Sequence, residues 1–283
     1  MGIVLGPNRY GKAENRVVRI YRDSARHEIR DLNVSTSLRG DFDAAHTRGD
    51  QSQVLPTDTQ KNTAFAYAKE HGVTSPEDYA IALATRLLRA TPAANGARVE
   101  VEEYPWQRIP VDGEGHDHAF VRQDGGVRTT AVDITSEATV VESGLKDLVV
   151  LKSTGSEFRG FLRDDYTTLP DAEDRVLATS LTAVWRYAAG DHDWNEAYDD
   201  IRRRLLAAFA TTYSRALQET LYAMGAAVLE ARPEVAEISF SAPNKHHHLV
   251  DLSPFGIAND GEVFIAADRP YGLIEATVTR EDT

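Results

Sequence analysis

Val54-Leu55-Pro56-Thr57-Asp58-Thr59-Gln60-Lys61-Asn62-Thr63 closes an extended apolar run and opens a helix. Pro56 restricts Leu55 to extended geometry, which sharpens the strand-to-helix corner. Thr57 or Asp58 can cap the first turn, and Thr57 with Gln60 three residues on fits a capping box. The helix is expected to run from about Thr57 to His71, with Gly72 as its C-terminal stop. A second helix is expected from Ser75-Pro76-Glu77-Asp78, with Ser75 as cap and Pro76 in the first turn. It carries Tyr79, Leu83, Leu87 and Leu88 on one side and ends before Pro92 and Gly96.

Working outward from this helix pair, one pattern occurs twice. Runs within Ile3 to Tyr21 and His27 to Leu38 precede the helices as strands, and strand-like segments follow at Arg98 to Ile109 and Ala119 to Ile134. From Glu137 the order recurs. Strands are expected at Thr139 to Ser153 and Val176 to Tyr187, then helices from about Asp193 to Tyr213 and along a Leu217, Leu221, Met224, Val228 stripe. Strands at Val235 to Leu249 and Glu262 to Thr279 complete the set. The reading is an α+β chain of two β-β-α-α-β-β modules, residues 1–136 and 137–283. Each offers a four-stranded antiparallel sheet whose helices, if placed on one face, leave the other face needing cover.

Composition narrows the chemistry. The chain has 283 residues, 42% hydrophobic and 27% charged, the profile of an ordinary soluble protein rather than a disordered one. Its 31 basic against 44 acidic residues give a net charge of -13, which argues against nonspecific binding to nucleic acid. The apolar runs are far short of a membrane span. Cysteine is absent, so disulfides, thiolate nucleophiles and thiolate metal sites are excluded. Met1 to Lys12 shows no secretory signal, and the Arg280-Glu281-Asp282-Thr283 ending is not a peroxisomal one, so a cytoplasmic location is expected.

Six strings, in this order and spacing, resemble the urate oxidase (uricase) family. They are Tyr10-Gly11-Lys12, Ala45-His46-Thr47 running on into the helix start at Thr57, and the segment Leu151 to Arg175. Leu217-Gln218, Pro243-Asn244-Lys245-His246 and Asp268-Arg269-Pro270-Tyr271-Gly272-Leu273-Ile274-Glu275 follow. The resemblance covers nearly the whole chain. It implies two tandem T-fold (tunnelling-fold) modules, with sheets of two subunits closing into a barrel and two barrels stacking as a homotetramer. It also implies oxidation of urate by dioxygen and water, without cofactor or metal, to 5-hydroxyisourate and hydrogen peroxide. Two Met and no Cys suit a peroxide-producing protein.

Urate is a flat anion, so its pocket needs a stacking surface, a planar cationic clamp and amide partners at the ring edge. Phe158 matches the family's stacking residue. By residue type alone it is equally a core aromatic, and Phe161 could serve as well. Arg175 matches the clamp, where a guanidinium fork suits an anionic edge; its ordinary alternative is an ion pair with Asp174 or Asp171. Gln218 matches the amide that reads the opposite edge, with a backbone contact from Leu217, although an exposed helical glutamine is the plain alternative. Lys12, Thr57 and His246 match a proton relay. Asn244 matches the residue that with Thr57 brackets dioxygen or water above the ring. Asp58 is assigned a backbone contact to substrate. In the family Lys12, Thr57 and Asp58 come from one subunit and the remaining site residues from its neighbour.

Two histidine pairs leave other readings open. In a strand His246 and His248 share a face while His247 points away, and His116 with His118 is similar, so each cluster offers two imidazoles. A metal-dependent purine or pterin hydrolase on the same fold would use them. A noncatalytic purine-binding module is the third reading. Arg159 follows Phe158 where some relatives have Trp, a change at the pocket rim.

Overall fold

The computed structural model describes residues 2–281 except Ala189, Asp191 and Asp268; the last lies in one of the six family strings, outside the described residues. The chain divides into two compact units, Met1–Gly144 with Ala189–Asn195, and Leu145–Ala188 with Glu196–Thr283. The expected module boundary, at residues 136 and 137, falls in the short turn between two strands, Val127–Thr135 and Thr139–Lys152.

The first unit begins with the strand pair β1 (Tyr10–Tyr21) and β2 (Glu28–Gly40), followed by three helices, α1 (Asp43–Arg48), α2 (Thr57–Glu70) and α3 (Pro76–Ala90). β3 (Ala94–Glu103) comes next, then a hairpin of β4 (Trp106–Val111) and β5 (Glu114–Arg122), and then β6 (Val127–Thr135). The sheet order is β1-β2-β3-β6 and every pairing among these strands is antiparallel. β7 (Thr139–Lys152) joins β6 and runs into the second unit.

There β8 (Leu177–Tyr187) precedes α4 (Trp194–Thr211), α5 (Leu217–Ala231) and β9 (Val235–Pro243). A second hairpin of β10 (His246–Leu249) and β11 (Phe264–Ala267), with a 3-10 turn at Ser253–Phe255, interrupts the module before β12 (Leu273–Thr279). The sheet order in this half is β7-β8-β9-β12. Removing the two hairpins and α1 leaves the β-β-α-α-β-β pattern twice.

Side-chain alternation explains how helices and sheet meet. On β2, Leu32, Val34 and Leu38 are fully buried, as are Val99 on β3 and Val132 on β6. Ala80, Leu83, Ala84 and Leu87 of α3 are buried on the helix side. In the second unit Leu181, Ala183 and Trp185 of β8 are buried, with Ile201 and Leu205 of α4 and Leu221, Met224 and Val228 of α5. The alternate sheet positions are polar and only partly covered: Ser35, Ser37, Arg98 and Asp133 in the first unit, Ser180, Thr182, Ser239 and Ser241 in the second. Among the described residues no helix is long and apolar enough to cross a membrane.

Several elements differ from their expected form. The strand expected over Arg98 to Ile109 breaks at Tyr104-Pro105, between β3 and β4, and Asp112 (φ 52°) and Gly113 (φ 87°) then form the two-residue turn of the β4–β5 hairpin. The Val235 to Leu249 segment likewise breaks at Asn244-Lys245. The cap expected at Ser75 forms, its hydroxyl accepting from the Asp78 N–H at 3.0 Å. The capping box at Thr57 does not. Pro56 takes the N-cap position of α2, a residue with no side-chain acceptor, and the Gln60 N–H donates to the Pro56 carbonyl at 3.1 Å. Gln60 is instead fully buried, its carbonyl oxygen accepting from the Thr36 hydroxyl at 2.8 Å.

One buried ion pair ties helix to sheet. Glu77, in the first turn of α3, has no exposure and accepts from Arg128 at 2.6 Å and from Thr130 at 2.9 Å, with Ser143 as a third donor. Removing one partner of such a pair strands a charge in the interior. Arg128→Met is therefore expected to destabilise the first unit by about 3–5 kcal/mol, read as a large fall in the thermal midpoint; a midpoint within a degree or so of the parent would contradict it.

Candidate active site

Two groups of residues, one in each unit, carry the expected site chemistry. In the first unit Lys12 lies on β1 beside a bulge, where the register against β2 shifts between Lys12 and Asn15. Its backbone N–H donates to the Thr36 hydroxyl at 3.4 Å, and the same hydroxyl donates to Gln60 in α2. Gly11 permits this approach: a Cβ there would stand 1.7 Å from the Thr36 carbonyl oxygen. Thus β1, β2 and the first turn of α2 are fixed to one another through Thr36.

Thr57 and Asp58 are the first two residues of α2, Thr57 half-buried and Asp58 exposed. No side chain caps the turn, so its leading amides stay open to a ligand. The Asp58 carboxylate accepts from Lys61 and, at 3.0 Å, from Asn62, both within α2. The hydrogen bond and charge of Lys61 hold its pKa below the usual carboxylate value, and Lys12 adds a smaller lowering charge.

In the second unit a loop between β7 and β8 folds back on itself. Phe158 and Ala172 exchange backbone hydrogen bonds at 2.8 and 2.9 Å, and the Arg175 N–H donates to the Ser156 carbonyl at 2.8 Å. This closure puts the Arg175 guanidinium over the Phe158 ring, 5.0 Å from its centroid. Both side chains are half-buried, so Phe158 is not a core aromatic.

Neither carboxylate considered as a partner pairs with the Arg175 guanidinium. Asp171 pairs with Arg163 at 3.0 Å, and Asp174 accepts from the Thr154 hydroxyl at 2.7 Å and the Ser156 N–H at 3.3 Å. The Arg175 Nε is buried without a hydrogen-bond partner, and burial pushes the group's pKa down from its usual value. A buried guanidinium donor left open is costly unless something binds it.

The start of α5 resembles that of α2. Ala216 is its N-cap and supplies no side-chain bond, so the Leu217 and Gln218 amides open the helix uncapped. Leu217 is buried and Gln218 is exposed. The preceding Ser214 is tied to the Phe158 loop, its carbonyl accepting from the Glu157 N–H at 2.8 Å and its N–H donating to Gly155 at 3.0 Å.

Asn244 and His246 flank the break between β9 and β10. The Asn244 N–H donates to Gly272 and the Lys245 N–H to Ala178, both at 2.8 Å. A cavity of about 330 Å³ is lined by Pro243, Asn244, Lys245, Arg269 and Tyr271. His246 has its pKa lowered by burial first, then by the charges of His248 and Arg175. It is therefore neutral at neutral pH and able to accept a proton.

His246 and His248 share a face, rings 5.8 Å apart at 22°. His116 and His118 stand 4.5 Å apart and edge-on, with His27 5.8 Å from His118. Among the described residues no group of three or more His, Asp or Glu side chains is placed to hold a metal ion. The sequence reading gave no role to Ser156, Ser214 or Thr36, which hold the assigned residues in place. Their signal is weak, since small polar residues in loops and strands are common.

Comparison with known proteins places the whole chain in a family. A family model described as Uricase matches residues 8–133 and 141–275. The uricase of Arthrobacter globiformis is 51% identical over 279 residues, covering 99% of this chain and 91% of that one. The uricase of Danio rerio is 38% identical over 280 residues, covering 96% and 93%. The crystal structure of the Arthrobacter globiformis uricase superposes with a TM-score of 0.96 at 50% identity, covering 100% of this chain and 97% of that one. The chain belongs to the uricase family.

Proposed function

We infer that this chain is a urate oxidase, converting urate, dioxygen and water to 5-hydroxyisourate and hydrogen peroxide. The single observation that carries the reading, beyond family membership, is the half-buried Arg175 guanidinium beside Phe158, its Nε buried without a hydrogen-bond partner among the described residues. Such a group calls for a flat anion. Urate stacks on Phe158, one edge takes the Arg175 fork, and the other edge meets the Gln218 side chain and the Leu217 N–H.

The first-unit residues of one subunit complete the site formed by the second-unit residues of its neighbour, in a homotetramer whose sheets close into barrels. Thr57 and Asp58 present their backbone and the Thr57 hydroxyl to the ring, and Thr57 with Asn244 brackets dioxygen above it. Lys12, the Thr57 hydroxyl and neutral His246 pass protons between substrate, oxygen and water. Electrons move from the electron-rich urate dianion to dioxygen, which leaves as hydrogen peroxide, while water supplies the hydroxyl at C5. No step needs a metal, because deprotonation raises the ring's own reducing power.

Three outcomes are expected. Protein stripped of metal by a strong chelator consumes oxygen with urate, with urate loss and peroxide formation in equal amounts; no uptake would sink the oxidase reading. Activity restored only by added metal would favour the hydrolase or another metalloenzyme, and binding without turnover the noncatalytic module.

Co-assembled Thr57→Ala and Asn244→Ala chains recover part of the parental rate that neither variant has alone, since some sites then combine two intact halves. Failure to recover activity in verified mixed tetramers would place each site within one chain. Nuclear magnetic resonance titration of the free enzyme should give His246 a midpoint below the ordinary imidazole value of about 6.5. A midpoint well above about 7 would mean a mostly charged ring at neutral pH and remove His246 as an acceptor.

A further inference from the structure

Phe161 is tied to the proposed stacking residue by a contact that no assigned role explains. Its ring lies 4.9 Å from that of Phe158 and only 14° from parallel. The Arg163 guanidinium in turn lies over Phe161, 4.7 Å from its centroid. Arg163 is held by two further bonds, donating to Asp171 at 3.0 Å and to the Leu169 carbonyl at 3.1 Å.

The loop thus builds a column of Phe158, Phe161 and Arg163, with Asp171 holding its outer end. The backbone is shaped to make it. Gly160 has φ 70°, a conformation that reverses the chain between the two rings and that other residues adopt with strain. Asp164 then accepts from the Tyr166 N–H at 3.0 Å and the Thr167 hydroxyl at 2.8 Å, which returns the chain toward Ala172.

The charges at the outer end do little for stability. Arg163 and Asp171 are about half exposed, 49% and 52%, where solvent screens an ion pair. What the column supplies is orientation. A half-buried phenylalanine on a loop has freedom to tilt, and a ring packed against its back removes that freedom. A stacked ring pair contributes about 0.5–1.5 kcal/mol beyond the area it buries.

We propose that Phe161 backs Phe158 on the face away from substrate, with Arg163 as the outer stop, and so sets the plane on which urate lies. Phe161 is then a positioning residue, acting on substrate only through Phe158. The inference rests on the stacking role given to Phe158 above. Loss of the backing ring weakens binding of the flat substrate and leaves the proton relay and dioxygen residues untouched. Its mark is a raised KM with kcat retained.

The test is steady-state urate oxidation by the intact assembly, comparing the parent with Phe158→Ala, Phe161→Leu, Phe161→Tyr and Arg163→Lys. Phe161→Leu, which keeps bulk and loses the ring, is expected to raise KM about two- to tenfold at unchanged kcat. Phe161→Tyr keeps the parental KM. Arg163→Lys keeps the charge and loses the planar group over the ring, and it raises KM by less.

A parental KM in Phe161→Leu, alongside a raised one in Phe158→Ala, overturns the backing role and leaves the stacking role standing. A parental KM in Phe158→Ala removes the reading on which the inference rests. A lowered KM in Phe161→Leu also overturns it, because Phe161 would then be covering the substrate's face. Should Phe161→Leu fail to assemble, Arg163→Lys decides, since its exposed position tolerates replacement; a parental KM there overturns the column.

Discussion

A sheet that carries helices on one face still has a second face, and in both units that face is polar. Ser35, Ser37, Arg98 and Asp133 in one unit, and Ser180, Thr182, Ser239 and Ser241 in the other, alternate with the fully buried aliphatic residues that meet the helices. Hydroxyls and charges of this kind cannot be dried against a hydrophobic partner at acceptable cost. They call for a lining that stays hydrated while the strands beneath remain paired. The barrel proposed here meets that demand, enclosing the polar face around water while the helices stay outside.

The same constraint places the chemistry at the margins of the sheet. Residues assigned to substrate lie where strands and helices begin or end: Lys12 beside a bulge, Thr57 and Asp58 opening α2, Leu217 and Gln218 opening α5, Asn244 and His246 at the break after β9. At such points backbone donors are unspent and side chains escape the regular alternation. Buried small polar residues do the fixing. Thr36 joins the Lys12 strand to α2 through Gln60, and Ser214 joins α5 to the Phe158 loop through backbone bonds.

Much of this was legible in the residues. The doubled β-β-α-α-β-β order followed from hydrophobic periodicity, and the Leu217, Leu221, Met224, Val228 stripe of α5 is buried at all four positions. The Ser75 cap and the Gly72 stop were readable because each depends on one residue's own chemistry. The β4–β5 hairpin was missed because Arg98 to Ile109 and Ala119 to Ile134 each look continuous, whereas the first breaks at Tyr104-Pro105 and the second between Arg122 and Val127. α1, only six residues long, is too short to show a period. The capping box at Thr57 failed for tertiary reasons: Gln60 gains more by meeting Thr36 inside than by folding back on its own helix. The open state of Arg175 depended on where Asp171 and Asp174 find other partners, which sequence spacing does not encode.

The two uncapped helix starts also bear on how this protein can change. At an ordinary helix, a serine or aspartate in the N-cap position adds about 1 kcal/mol, as Ser75 illustrates on α3. At Pro56 and Ala216 that gain would come from a side chain folding over the amides proposed to meet urate. Substitutions that strengthen the resting fold at these two positions would therefore crowd the first-turn donors that the substrate is proposed to approach. The most accessible routes to a sturdier chain lead, at these corners, to a blocked one.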